Sequence, residues 1–282
     1  MRQLIVKILL KIYNFYLKKD RLKRLIKIII GDKKIIITFN GFKIYTSNNS
    51  AIESSILFGE YSEQIILDLI KKYANKNYNL IDIGANVGIH SLTAATINNK
   101  IEVFSFEPEP SNFLSFIKNI GLNNIENIRP FRMGLGDVVG NNMLNINKGW
   151  NKGKHSIKVN FAPNFNERIS IPVTKLNAFK DNIIGENFIV KIDVEGFERE
   201  VIEGADEIFK KFDNCILIIE LITEINDLEI CKKIISSLKE KDFEHIYKIS
   251  NRVDLILVED YEGSADYIFI KGKDAIASIQ NN

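Results

Sequence analysis

Apolar and polar positions change period several times along the chain, and each change predicts an element. Leu4, Ile5, Ile8, Leu9, Ile12, Phe15 and Tyr16 recur at helical spacing and predict an amphipathic helix. The β-rich runs KIIITFN and FKIYTS follow, joined at Asn40-Gly41, which is the strongest short-range hairpin signal. YSEQIILDLIKKY carries an apolar stripe at Ile65, Ile66, Leu69 and Ile70 and predicts a helix. From Tyr78, strands and helices alternate: YNLIDIG, VGIHSLTAATI, IEVFSFE, PSNFLSFIKNIG with Gly121 as its stop, and IRPFRMG. Residues 140–174 break the rhythm with NMLNIN, HSIKVNF and RISIPVTKL, a β-rich insertion of the kind that shapes a pocket at a sheet's carboxyl edge. Alternation resumes with NFIVKID, EREVIEGADEIFKK, NCILIIEL and DLEICKKIISSLKE. The last runs, FEHIYKIS, VDLILV and DYIFIKG, have no helix between them and predict an antiparallel ending. The expected fold is therefore α/β, a mostly parallel sheet with helices on both faces, preceded by a helix and a hairpin. Its organisation is a helical leader over 1–30, a hairpin and helix over 31–77, and an α/β unit over 78–282.

Charge separates the leader from the rest. Residues 1–30 hold nine Lys or Arg against one acid, Asp20, whereas the remaining 252 residues hold 29 against 35. A mildly acidic body excludes nucleic acid as the partner of the whole domain. The leader's apolar run is broken by Lys7 and Lys11, too early to span a membrane, and no small-residue cleavage site follows it. Two readings stay open for residues 1–30: a helix packed on the domain or a partner, or a helix lying on an anionic membrane surface. The two cysteines, Cys215 and Cys231, are too few for a metal cluster or disulfide framework, and Cys215 reads as a buried inert thiol. A reducing, cytoplasmic setting fits, at the inner face of the membrane on the second reading of the leader.

The first candidate site is LIDIGANVGIH. A strand ends at Asp82, turns through Gly84, Ala85, Asn86 and Gly88, and enters a helix. Small residues let a ligand approach the backbone, and the helix start attracts negative charge. The second strand ends at Glu107, where an acid can accept both hydroxyls of a ribose. Together they predict a nucleoside-containing cofactor across the sheet's switch point. A dinucleotide fingerprint would read Gly-x-Gly-x-x-Gly, but here an acid precedes the glycines. That suits a cationic ligand better than a pyrophosphate, and favours S-adenosyl-L-methionine over NAD.

These motifs resemble those of the FkbM-type methyltransferases, within the class I, Rossmann-like group that uses S-adenosylmethionine. The resemblance rests on FGEY (58–61), IDIGANVGIHSL (81–92), VFSFEPEPSNF (103–113), NIGLNN (119–124), GLGD (134–137), VKIDVEGFEREVIEGA (190–205) and IIEL (218–221), in that order. It covers residues 55–222 and implies a seven-stranded sheet whose last strand is antiparallel. It also implies that Asp82, Gly84, Asn86, Gly88 and Glu107 surround the cofactor, with Asp137 near the adenine. The sequence departs from the family pattern at His90, where an aromatic is usual, and at Asn177, where an aspartate is usual.

FIVKIDVEGFERE (188–200) sets four acids after a buried-looking strand. Asp193 and Glu195, two apart, would project to one side in extended chain and face the methyl group. Glu198 and Glu200 would start the next helix and be solvated there. Methyl transfer to a hydroxyl needs a base or a metal ion. Asp193 is the expected base, with His90 competing, and the Asp193–Glu195 pair could hold Mg²⁺. Glu60, Tyr61, His155 and Glu220 are expected to contact the acceptor, with Phe58, Glu60 and Tyr61 as a lid. Trp150, Lys152 and Lys154 could meet a sugar face. The expected activity is O-methylation of a small-molecule or glycan acceptor, a sugar hydroxyl of a glycan or glycolipid precursor. The alternatives are an NAD-dependent oxidoreductase and a scaffold without catalysis.

Overall fold

The chain enters through helices α1 (Arg2–Phe15) and α2 (Asp20–Ile30). The computed structural model describes residues 2–15, 20–31, 33–48, 50–146, 155–157, 167–251 and 254–275. The hairpin follows as β1 (Ile35–Phe39) and β2 (Phe42–Thr46), paired antiparallel. Asn40 and Gly41 both take positive φ, 45° and 91°, as a two-residue primed turn demands. Two helices, α3 (Ala51–Leu57) and α4 (Gln64–Ala74), lead into the main sheet.

The sheet and its crossovers are β3 (Asn79–Ile83), α5 (Ile89–Ile97), β4 (Val103–Phe106), α6 (Pro110–Asn123) and β5 (Ile128–Phe131). Helix α6 passes through Gly121 and stops at Asn124, whose φ of 52° supplies the left-handed cap. The expected stop at Gly121 is thus displaced by three residues. Next come β6 (Gly134–Leu135), β7 (Gly140–Ile146) and β8 (Glu167–Thr174), which form a separate small sheet in the order β6-β8-β7. Of the three strands expected in the insertion, HSIKVNF contributes only Ser156, bridged to Asn145, among the described residues. Trp150, Lys152 and Lys154 lie outside the described residues.

The main sheet is completed by β9 (Asn187–Ile192), α7 (Glu198–Glu203), α8 (Asp206–Lys211), β10 (Asn214–Leu221), α9 (Thr223–Asn226), α10 (Leu228–Lys239), β11 (His245–Ser250), β12 (Asp254–Val258) and β13 (Ala265–Lys271). Its order is β12-β11-β13-β10-β9-β3-β4-β5. The pairings between β10, β9, β3, β4 and β5 are parallel. Strand β13 is inserted antiparallel between β10 and β11. The sheet has eight strands where seven were expected, because β12 adds an antiparallel edge to β11.

Central strands are buried on both faces, so they read as continuous apolar runs. Leu80, Ile189, Ile216 and Ile218 pack one way, against α4 and α5 and the hairpin's Phe42 and Ile44. Ile81, Val190, Leu217 and Ile219 pack the other way, against Val201, Ile208 and Ile234. Residues 31–77 therefore share a core with the sheet.

A smaller cluster seats the leader: Val6, Leu10 and Tyr13 of α1 and Ile26 and Ile30 of α2 meet Ile35, Leu57 and Phe58. Of the stripe read from the sequence, Leu4, Ile5 and Ile8 are exposed, and the leader seats through Val6, Leu10 and Tyr13 instead. Asn177, standing where an aspartate is usual, accepts from the N–H groups of Glu207 (3.1 Å) and Ile208 (3.2 Å) in the first turn of α8. An amide oxygen keeps the acceptor that this helix start needs.

Candidate active site

A cavity of about 440 Å³ opens at the carboxyl ends of β3, β4, β9 and β10, where the strand order reverses. Ile83, Gly84, Ala85, Asn86 and Glu107 form one wall; Asp193, Glu195 and Glu220 form another; Tyr61, Glu63 and His90 close a third; His155 and Ile157 come from the insertion. Most of the residues that the sequence singled out are thus brought together.

The glycine turn is tight for a visible reason. A Cβ on Gly84, whose φ is 85°, would lie 1.9 Å from the carbonyl oxygen of Asp193. One on Gly88, at φ 90°, would meet the Phe116 ring at 2.0 Å. Glu107 is buried, and its two oxygens accept from the backbone N–H groups of Asn86 (2.8 Å) and Glu109 (2.8 Å). Burial pushes its carboxyl up to about 8, against the pull of those amides.

Four expected residues do not line the cavity. Asp82 lies beneath the turn, where Oδ2 accepts from the Ser91 N–H (3.2 Å) and hydroxyl (2.5 Å). Gly88 caps α5. Asp137 lies beyond β6, outside the wall. Glu60 faces the leader, accepting from the Tyr13 hydroxyl at 2.9 Å and pairing with Lys23 at 2.5 Å. Phe58 is buried against Tyr13, with ring centroids 5.3 Å apart, so the expected lid reduces to Tyr61.

The acids after β9 divide differently from the expectation. The strand ends at Ile192, and Glu195 (φ 50°) and Gly196 (φ 98°) turn the chain left-handed. Asp193 and Glu195 reach the cavity through this turn, and not by strand alternation. One carboxylate oxygen from each of Asp193, Glu195 and Glu220 lies within 4.8 Å of the others. Glu198 and Glu200 begin α7 but are buried, which corrects the solvated reading. Glu198 accepts from the Gly196 N–H (2.9 Å) and the Asn226 amide (2.7 Å), clamping the turn.

Sequence reasoning passed over three charged groups. Lys191 of β9 is 1 % exposed, with Nζ 3.3 Å from Oδ2 of Asp193. Burial would neutralise it, but Asp193, Asp266, Glu63 and Glu220 outweigh that and hold it firmly as a cation. A lone Lys inside the apolar run FIVKI was the available signal. Asp266 faces Glu220 across the β10–β13 ladder; burial and the neighbouring acids push it up to about 6 despite Lys191. Burial and Asp193 raise Glu220 as well. Glu63, three residues from Glu60, pairs with His90 (Oε2 to Nε2, 3.0 Å) and accepts from the Tyr61 hydroxyl at 3.1 Å. Burial opposes charge on both partners, yet the pair lowers Glu63 and raises His90. The ion pair thereby favours the protonated imidazole of His90 over the neutral one.

A parallel sheet with one antiparallel strand tucked between β10 and β11, and a glycine turn beside an acid at the switch point, define a class I S-adenosylmethionine-dependent methyltransferase. The profile of the Methyltransferase FkbM domain matches residues 82–253, and the chain belongs to that family. "Methyltransferase 1" of Beauveria bassiana is 24% identical over 224 residues, 73% of this chain and 88% of that protein. "Hexuronic acid methyltransferase AglP" of Haloferax volcanii is 24% identical over 170 residues, 60% of this chain and 66% of that protein. The crystal structure of a Methyltransferase FkbM from Methylobacillus flagellatus aligns over 78% of this chain and 52% of that one, at 15% identity and TM-score 0.43. The nicotinamide alternative falls with the family membership.

Two outcomes test the charge pattern. Glu63's lowered pKa stabilises the fold above about pH 4.5, a contribution lost as pH falls; His90's raised pKa stabilises it below about pH 6.5, a contribution lost as pH rises through the folded value. Thermal melting of Glu63→Gln should show a lower Tm between these limits and a flatter pH profile than the native chain. Lys191→Met removes the cation from a buried cluster and should cost about 3 kcal/mol at neutral pH. Without Lys191, Glu220 and Asp266 rise further above their unfolded values, so the deficit should shrink toward pH 5 and grow above pH 7. A pH-independent deficit would refute the counter-charge account.

Proposed function

We propose that the chain transfers a methyl group to a hydroxyl oxygen of a sugar in a glycan or glycolipid precursor. The observation that carries this reading is the pairing of a cavity-facing carboxylate with a buried ammonium. The Asp193 side chain is 32 % exposed, while Lys191 behind it is sealed off. Asp193 can take the proton of an acceptor hydroxyl, and Lys191 steadies its charge and orientation. His90 is less suited as the base, because its Nε2 is engaged by Glu63 at 3.0 Å. The relative named for a hexuronic acid supports a sugar acceptor, and His155, Tyr61 and Glu220 are the wall residues within its reach.

The residues present fit S-adenosylmethionine. Glu107, with each oxygen oriented by a backbone N–H, keeps further lone pairs for the two ribose hydroxyls. Gly84, Ala85 and Asn86 present backbone to the cavity wall, and Gly84 lets this turn close against the Asp193 carbonyl. Buried Oδ1 of Asp82 has no hydrogen-bond partner and is an acceptor for the ligand's ammonium through water. When bound, the cofactor supplies a methyl group on a sulfonium, a cation that suits an acid-rich wall.

Mg²⁺ fits the donor chemistry of Asp193, Glu195 and Glu220, where it would polarise the acceptor oxygen. Lys191 already supplies positive charge at the same place, so the proposal assigns the proton to Asp193 with or without the ion.

The test is Asp193→Asn with labelled S-adenosylmethionine and a panel of sugar acceptors. Turnover should fall on the order of 10²–10⁴-fold while S-adenosylhomocysteine still raises the Tm. Label recovered as an alkali-stable ether supports the reading; label on nitrogen, or near-native turnover of the variant, overturns it. Turnover that survives chelation of divalent ions removes Mg²⁺ from the proposal.

A further inference from the structure

The leader is bound on one side and open on the other. In α1, Val6, Leu10 and Tyr13 are buried, whereas Leu4 is 63 % exposed and Ile5 and Ile8 are exposed with it. In α2, Ile26 and Ile30 are buried, whereas Ile28 is 76 % exposed alongside Leu25. At 100° per residue, each exposed set lies on the face opposite its buried set. Lys7, Lys11, Arg21 and Arg24 are exposed around them, with Arg21 and Arg24 on the same side of α2 as Leu25 and Ile28. Asp20 is the sole acid of residues 1–30. Single exposed aliphatics are ordinary on a soluble surface, but five on two adjacent helices within a cationic frame are not. No described helix is long and apolar enough to cross a membrane.

We propose that the α1–α2 pair docks the protein on an anionic lipid surface. Leu4, Ile5, Ile8, Leu25 and Ile28 enter the boundary between headgroups and acyl chains, and Lys7, Lys11, Arg21 and Arg24 meet lipid phosphates. Charge complementarity selects this occupant: a protein groove could take the aliphatic face, but the ring of cations matches a layer of anionic headgroups. The docked element is coupled to the cavity. Tyr13 of α1 and Lys23 of α2 both hold Glu60, and the next residue, Tyr61, lines the cavity wall. A membrane-bound leader therefore carries the active site at a fixed offset from the lipid surface.

The test uses the full chain and needs no methyl acceptor. The protein should co-sediment at low salt with phosphatidylcholine vesicles carrying about one-third phosphatidylglycerol, bind pure phosphatidylcholine poorly, and be released as salt rises. Ile8→Ser/Ile28→Ser and Arg21→Gln/Arg24→Gln alter only exposed side chains. Each pair should weaken vesicle binding about tenfold or more while the Tm and its rise with S-adenosylhomocysteine stay native. Absence of binding to the anionic vesicles at low salt overturns the proposal, as does equal binding by the native chain and both variants. Self-association that these substitutions abolish, without vesicle binding, would assign the face to a second copy and overturn it too.

Discussion

A buried ammonium governs the arrangement of this site. Lys191 sits in the middle of the sheet, directly paired in register with Asp82 of β3 on one side and Ile218 of β10 on the other. Removing such a charge from water costs several kcal/mol unless opposite charge is brought close. The fold provides it from four separate segments: Asp193 at the end of the same strand, Glu220 at the end of β10, Asp266 on β13 and Glu63 before α4. Three of these line the cavity or its rim, so the charge balance of the core and the electrostatics of the active site are one system.

That system carries more acid than Lys191 needs. Glu63 is satisfied by His90, 3.0 Å away. Glu220 and Asp266 face each other across a ladder, where like charges repel, and both are raised. The remaining negative charge faces the cavity from Asp193, Glu195 and Glu220.

Much of this was legible in the sequence, for reasons that are local. Asn40-Gly41 specifies its turn by backbone sterics alone, and the period-2 and period-3.6 patterns fix strands and helices. The Gly84 turn and Glu107 are placed by their motif at the strand ends, and both line the cavity at the switch point. What was not legible depends on three-dimensional partners. Glu60 and Glu63 look alike in FGEYSEQ, and only the seating of Tyr13 and Lys23 turns the first away from the cavity. Asp82 reads as a cavity-wall residue until Ser91 takes its Oδ2 beneath the turn. Both faces of α1 are apolar, so periodicity cannot say which one seats on the domain; Val6, Leu10 and Tyr13 do.

The turn from Asp193 to Glu198 keeps an acidic pair in place at the cavity wall. A non-glycine residue at positive φ, as at Glu195, is costly and persists only where its surroundings over-determine it. Three contacts do so here. Glu198 grips the Gly196 N–H from below and is itself gripped by Asn226. The Ser156 hydroxyl donates to the Glu195 carbonyl at 2.7 Å. Ser156 lies between His155 and Ile157, both in the cavity wall, and is bridged to Asn145 of β7. The insertion therefore does two things at once: it supplies the wall opposite the cofactor turn, and it holds the backbone that aims Glu195. A change in the insertion that reshapes this wall would also shift the turn that carries Glu195, because both hang on the same few hydrogen bonds.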